Sequence, residues 1–159
     1  MMFRLLVALF ILTFILRVMF VLNGAVSFHY DMARDAYEAQ QIWKDHKLKI
    51  LGPPTTTAGL FSGVLYFYLL AIPYGLGNGD PRIAAIFMSF LNSLSIIPIF
   101  LLTKEIFKST KWAFLSAILF TFSFEAIQYG PWLSNPSPAI LPMAWFFYSL
   151  RLWQKGYQP

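Results

Sequence analysis

The feature that most constrains this chain is a series of four long apolar runs, at about residues 4–22, 83–103, 112–129 and 137–152. Each is long and apolar enough to form a helix across a membrane, since about 30 Å of hydrocarbon takes roughly 17–25 helical residues. Only 12% of the residues are charged, against about a quarter in soluble domains. We therefore expect an all-α, multi-pass integral membrane protein with about four transmembrane helices, forming a single membrane domain over residues 1–159.

The first apolar run could instead be a cleaved signal peptide. Its apolar stretch from Leu5 to Leu22 exceeds the usual signal core of about 7–15 residues, and only Gly24–Ser27 weakly resembles a cleavage site. A retained membrane anchor is the better interpretation.

The membrane topology depends on whether the segment from Leu60 to Leu76 spans the membrane. Pro73, Gly75 and Gly77 interrupt it, and its unbroken apolar core from Val64 to Ile72 is short. Apolar segments of about 10–14 residues are more often interfacial or re-entrant than spanning. We therefore interpret this segment as a juxtamembrane helix and not as a fifth span.

Two topologies follow from this choice. With four spans and a cytoplasmic N-terminus, six Lys and Arg side chains lie on the inner side and five on the outer side. If the Leu60–Leu76 segment also spans and the N-terminus is outside, the numbers are nine inside and two outside. The excess of basic residues in cytoplasmic loops favours the second topology by count. The broken segment, and a resemblance described below, favour the first.

The stretch from Asn23 to Gly59 is the only long polar region, and residues 23–81 form the expected first outer loop. We expect juxtamembrane helices in it at about residues 31–47 and 60–76. The stretch from Gly52 to Gly59 lies between them and forms a turn, because proline lacks a backbone donor and glycine disfavours helix.

Three ionisable side chains, Asp31, Arg34 and Asp35, share one face of the first juxtamembrane helix, since residues three and four apart are neighbours on a helix. Asp31 or Ser27 is also suited to cap the start of this helix. The three charges could be no more than a solvated surface. Their position beside a membrane bundle favours a substrate path, where polar groups near lipid tend to lie.

Three further polar side chains have two interpretations each. Arg17, late in the first apolar run, either extends to the headgroups or binds phosphate through its planar guanidinium. Glu125, late in the third run, either reaches the interface or lines a polar cleft. Asn135, in the expected outer loop 130–136, either forms a turn or contributes to the same cleft.

Composition excludes several kinds of partner and cofactor. The net charge of +5 is not arranged as a basic stripe with interleaved aromatic residues, so nucleic acid is not an expected partner. The absence of cysteine excludes disulfides and Cys-ligated zinc, and the His29-x-Asp31 pair alone is too small a ligand set for structural zinc. No cofactor is indicated. A divalent metal is compatible with the chemistry below but has no ligand set to support it.

The order of these features resembles the N-terminal part of the membrane-embedded GT-C glycosyltransferases, and most of all bacterial proteins like the dolichyl- or polyprenyl-phosphate-mannose protein mannosyltransferases. The resemblance covers essentially the whole chain and depends on order, because no single motif is diagnostic. Its elements are Arg17, then Asp31-x-x-Arg34-x-x-Tyr37, Gly52-Pro53-Pro54, Gly63-Val64-Leu65-Tyr66-Phe67-Tyr68 and Asp80-Pro81-Arg82, followed by a Lys-rich turn.

The resemblance implies an enzyme of the inner or plasma membrane whose first loop faces the periplasm or exterior. It implies transfer of a sugar from a polyprenyl-phosphate donor, with inversion, to an acceptor that the sequence does not identify. Asp31 would be the catalytic base. The substrate-binding residues would be Arg34, Asp35, Arg17, Tyr37, Glu125 and Asn135.

The chain departs from the family in two respects. Many relatives carry a second acidic residue in the next outer loop, where this chain has Ser134-Asn135, which puts a metal there in doubt. The family module also has about seven spans, so the chain is expected to be an N-terminal fragment of a longer protein, inactive by itself if the missing spans complete the site. Two alternatives to an enzyme remain: a transporter or flippase subunit for lipid-linked sugars, and a small structural membrane protein.

Overall fold

The computed structural model describes residues 2–24, 26 and 28–156, and it contains helices but no β-strand in those residues. The predicted all-α class is therefore confirmed. A 3-10 turn, Ser137–Ala139, precedes the last helix. The α-helices are α1 Met2–Leu22, α2 Tyr30–Asp45, α3 Leu65–Leu76, α4 Pro81–Ser93, α5 Ile96–Phe107, α6 Thr110–Phe122, α7 Phe124–Tyr129 and α8 Ile140–Gln154.

Two helical segments in the described residues are long and apolar enough to cross a membrane, judged by length and composition. They are α1, with 21 residues, and the continuous stretch Pro81–Phe107 formed by α4 and α5, with 27 residues. They contain the runs predicted at 4–22 and 83–103. The helices α3 and α6 are apolar but shorter.

The α4–α5 stretch begins with a strong cap and turns tightly in its middle. Asp80 accepts a hydrogen bond from the Arg82 backbone N–H at 2.8 Å, and Pro81 occupies the first helical position, where its missing donor costs nothing. Pro98 has no N–H to bond the Leu94 carbonyl, which instead accepts from Ile97 N at 3.1 Å. The tighter hydrogen bond explains the turn between α4 and α5.

The other predicted runs are divided where the backbone changes conformation. The run at 112–129 is two helices, because Ser123 is extended (ψ 119°) and its hydroxyl accepts from Ala126 N to start α7. The run at 137–152 is the 3-10 turn followed by α8.

The first loop contains two helices, as the sequence suggests, at slightly different bounds. α2 begins after His29, so Asp31 lies inside its first turn and is not its cap; Ser27 is outside the described residues. α3 begins at Leu65 and not at residue 60, because residues 60–62 pair with the preceding loop.

Two apolar clusters occupy opposite ends of the helix bundle. One joins the end of α1, at Val21, to α2, α3 and the start of α4. The other joins α5 and α6 and packs against the first half of α1, at Leu6, Leu9 and Phe10. Hence α2 and α3 lie together at the end of the bundle where α1 finishes and α4 begins.

Candidate functional site

A polar cleft lies between the start of α2 and the loop that precedes α8. Its volume is about 120 Å³. The Asp31, Arg34 and Asp35 face predicted from the helix period forms one wall, and Asn135 lies in the other. The lining residues are His29, Asp31, Met32, Arg34, Asp35, Pro54, Leu133, Ser134 and Asn135.

Arg34 is held between two carboxylates. Its Nη1 donates to Asp31 Oδ1 at 2.9 Å, while Nε and Nη2 donate to Asp35 Oδ1 at 2.9 and 2.7 Å. The Asp31 side chain is 63% exposed, and that of Asp35 only 5%. The buried carboxylate therefore orients the guanidinium, and the exposed one remains accessible from the cleft.

Asp35 lies in an unusually apolar setting for a carboxylate. Burial raises its pKa, and the hydrogen bonds and charge of Arg34 oppose that rise. Burial also raises the pKa of the Tyr66 and Tyr74 phenols, and the nearby Asp35 charge raises it further. Neither hydroxyl has a hydrogen-bond partner among the described residues. The phenols thus remain protonated beside the buried carboxylate.

A large apolar groove adjoins the polar cleft. Its volume is about 600 Å³, and it runs between α3, α4 and the start of α8. Asn135 lines both cavities, and its Nδ2 donates to Ser62 Oγ at 3.2 Å. The groove is lined by Ser62, Gly63, Leu65, Tyr66, Leu69, Leu91, Asn135, Pro136, Pro138, Ala139, Leu141 and Pro142.

The loop between α2 and α3 shapes both cavities. Ser62 N donates to Pro53 O at 2.8 Å, and Thr55 N donates to Leu60 O at 3.0 Å. This folded-back loop, residues 52–63, places Pro54 in the cleft wall and Ser62 in the groove wall. Gly52 permits the pairing, since a Cβ there would collide with the carbonyl oxygens of Ser62 and Gly63.

Three of the predicted site residues do not line the cleft. Arg17 is fully buried, where its Nη1 donates to Thr13 O at 2.9 Å and its guanidinium lies 5.0 Å from the Phe120 ring centroid. Glu125 is exposed in the first turn of α7. Tyr37 is 61% exposed on α2. Snorkelling of Arg17 to the headgroups does not fit its full burial.

Sequence reasoning missed Ser62, Tyr66 and Leu133 as parts of the site. The sequence indicates Tyr66 and Gly52-Pro53-Pro54 only as elements of a family pattern, and nothing local in it indicates that Ser62 contacts Asn135. Within the described residues, no group of three or more His, Cys, Asp or Glu side chains is placed to hold a metal ion.

The two cavities together suit an amphiphilic ligand whose polar head forms hydrogen bonds. The cleft offers an accessible carboxylate, a guanidinium and an amide. The surface of the groove is mostly apolar. No protein-family model, curated protein or solved structure matches this chain.

Proposed function

We propose that this protein is a membrane glycosyltransferase of the GT-C type, which transfers a sugar from a polyprenyl-phosphate donor to an acceptor at the outer face of the inner or plasma membrane. The observation that carries the proposal is that Asn135 lines both cavities, so that the groove and the cleft lie side by side. One ligand can occupy both, with its isoprenoid tail in the groove and its sugar phosphate in the cleft.

The proposed membrane arrangement has four spans: α1, α4–α5, α6–α7, and the 3-10 turn with α8. The 12 residues of α3 measure only about 18 Å, at 1.5 Å per residue, which is too short to cross about 30 Å of hydrocarbon. α3 also packs on α2 and on the start of α4. Both facts support α2 and α3 as juxtamembrane helices of one outer loop.

Arg34 is the proposed contact for the donor phosphate. A guanidinium has five N–H donors in a fixed fork. Arg34 directs three of its nitrogen atoms toward Asp31 and Asp35. Its position is therefore fixed before the donor arrives, and its remaining N–H groups are available to stabilise the charge that develops on the departing phosphate.

Asp31 is the proposed general base. Its carboxylate takes the proton of the acceptor hydroxyl or amine as the acceptor atom bonds the anomeric carbon. The bond from that carbon to the phosphate oxygen breaks on the opposite face, and the phosphate leaves with the electron pair. Attack from the face opposite the leaving group inverts the anomeric configuration.

Asp31→Asn tests this role, because it keeps the side-chain shape and removes the base. Transfer should fall by about 10²–10⁴-fold, the usual value of general-base assistance. The assay is release of polyprenyl phosphate from radiolabelled donors carrying mannose, glucose, galactose or aminoarabinose, in membranes of cells expressing the gene. Since endogenous acceptors are present, the acceptor need not be known.

Asp45→Asn is the matched control, since Asp45 is an exposed carboxylate at the other end of α2. It should leave transfer unchanged. Wild-type transfer in Asp31→Asn would contradict the base role. Movement of labelled lipid-linked sugar across the membrane without release of polyprenyl phosphate would instead identify a transporter.

A further inference from the structure

The charged side chains are divided unequally between the two ends of the bundle. We use the name basic end for the six Lys and Arg side chains, and the one acidic side chain, near the start of α1, the end of α5, the start of α6 and the end of α8. They are Arg4, Lys104, Lys108, Lys111, Arg151, Lys155 and Glu105. Six positive charges and one negative charge give +5, which equals the net charge of the whole chain.

Direct contacts join three of these side chains. Glu105 Oε1 accepts a hydrogen bond from Lys108 Nζ at 2.6 Å and also bonds Lys155 Nζ, which ties α5 to α8. At the same end, the Phe107 and Trp112 ring centroids lie 6.4 Å apart across the α5–α6 turn. The first half of α1 packs against α5 and α6 through Leu6, Leu9 and Phe10.

Most of the positive charge at the basic end is not neutralised by the protein. One carboxylate is shared by two ammonium groups. Arg4, Lys104, Lys111 and Arg151 form no ion pair within the described residues. Arg151 Nε is buried there without a hydrogen-bond partner.

Exposed aromatic side chains accompany the charges. Phe107, Trp112 and Trp153 are 61%, 50% and 67% exposed. Tryptophan is enriched at the headgroup level of membranes, where its ring contacts lipid and its N–H contacts water. A sulfated polysaccharide offers these rings no apolar partner, whereas a phospholipid offers both a phosphate and an acyl chain.

We propose that the basic end binds anionic phospholipids of the cytoplasmic leaflet through their phosphate diesters. The proposal shares the membrane setting of the proposed function and does not depend on sugar transfer. Clustered Lys and Arg beside a membrane helix attract anionic headgroups. Glu105 limits the attraction by occupying two of the lysines.

The test uses the full chain purified in dodecyl maltoside, with added phosphatidylglycerol or phosphatidylcholine of the same acyl chains. Native mass spectrometry measures the lipid that remains bound. Lys104→Gln with Lys111→Gln should weaken phosphatidylglycerol binding by about 30-fold, since each lysine near an anionic surface contributes roughly fivefold. Phosphatidylcholine binding should not change.

Lys44→Gln with Lys47→Gln is the matched control, since it removes two lysines from the opposite end of the bundle. Phosphatidylglycerol binding should stay within about twofold of the wild-type value, because the proposed lipid contacts are at the basic end only. Equal losses in the two double variants would contradict the proposal, as would equal binding of the two lipids by the wild type. Displacement of the lipid by heparin at equimolar concentration would indicate a general polyanion surface and also contradict it.

Glu105→Gln tests the same idea in the opposite direction, and it decides the outcome if the double lysine variant fails to fold. Removing the Glu105 carboxylate, the one acidic side chain at this end among the described residues, frees Lys108 and Lys155, so phosphatidylglycerol binding should rise. A fall would overturn the proposal. Normal lipid binding with no sugar transfer would contradict the proposed function alone.

Discussion

The Arg17 side chain leaves no room for a side chain at position 130. It is fully buried, with Phe120 on one side and Gly130 on another. A Cβ at Gly130 would lie 2.7 Å from both Cδ and Nε of Arg17, which is closer than non-bonded atoms approach. The residue at position 130 therefore controls whether the arginine can pack between α1, α6 and α7.

Gly130→Ala should destabilise the protein by about 1–3 kcal/mol, the usual cost of overpacking a close-packed site. Thermal unfolding in detergent, followed by circular dichroism, measures the change. Gly63→Ala is the control, since a Cβ there meets nothing within 4 Å. If Gly130→Ala costs the same with Arg17→Ala as without it, the proposed collision is wrong.

Only part of the site at the residue scale could be predicted from sequence. The helix period places Asp31, Arg34 and Asp35 together, because such neighbours are fixed by local geometry. The contact between Asn135 and Ser62 joins residues 73 positions apart, and no local pattern encodes it. The burial of Arg17 likewise depends on three helices that the sequence does not orient.

The folded-back loop, residues 52–63, is the element on which both cavities depend. It contains no helix and no β-strand. Its two sides pair through one isolated antiparallel bridge between Pro54 and Phe61 and the neighbouring hydrogen bonds. Gly52 lies where the two sides of the loop are closest. Loss of that close approach would move the cleft wall and the groove wall together.

Gly52→Ala should therefore impair the site without unfolding the helices. Its Cβ would lie 2.6 Å from Gly63 O, and a backbone carbonyl cannot turn away as a side chain can. We expect at least a tenfold loss of sugar transfer, since small displacements of positioning groups have large effects on rate, while helical circular dichroism is retained. Wild-type transfer in this variant would show that the loop does not shape the site.

The helices were predictable in existence and less so in their bounds. The apolar runs indicated α1 and α4–α5 because long apolar segments have few alternatives to a helix in lipid. The separation of α6 from α7 at Ser123 was not predicted, because serine is compatible with a helix interior and becomes a cap only when the backbone extends. The start of α3 was misplaced for a similar reason, since residues 60–62 pair with the loop.

At the scale of the whole molecule, the cleft and the basic end lie at opposite ends of the helix bundle. The α2–α3 cluster includes Val21, at the end of α1, whereas Leu6 packs in the other cluster. The proposed orientation puts the cleft outside and the basic end in the cytoplasm. It places six Lys and Arg side chains in the cytoplasm and five outside, a weaker bias than that of the five-span alternative. It is supported instead by the shortness of α3, whose 12 residues are too few to span.

Labelling of single cysteines tests this orientation directly, because the chain has no cysteine of its own. Tyr37 is exposed on α2 and Ser109 is partly exposed between α5 and α6, so each can carry a reactive thiol. In intact cells, a membrane-impermeant maleimide should label Tyr37→Cys, and it should label Ser109→Cys only after permeabilisation. A fifth span through α3 with an external N-terminus would place both positions in the cytoplasm, and neither would react. Labelling of Ser109→Cys alone would reverse the orientation and remove the outer-face mechanism, since Asp31 would then face the cytoplasm.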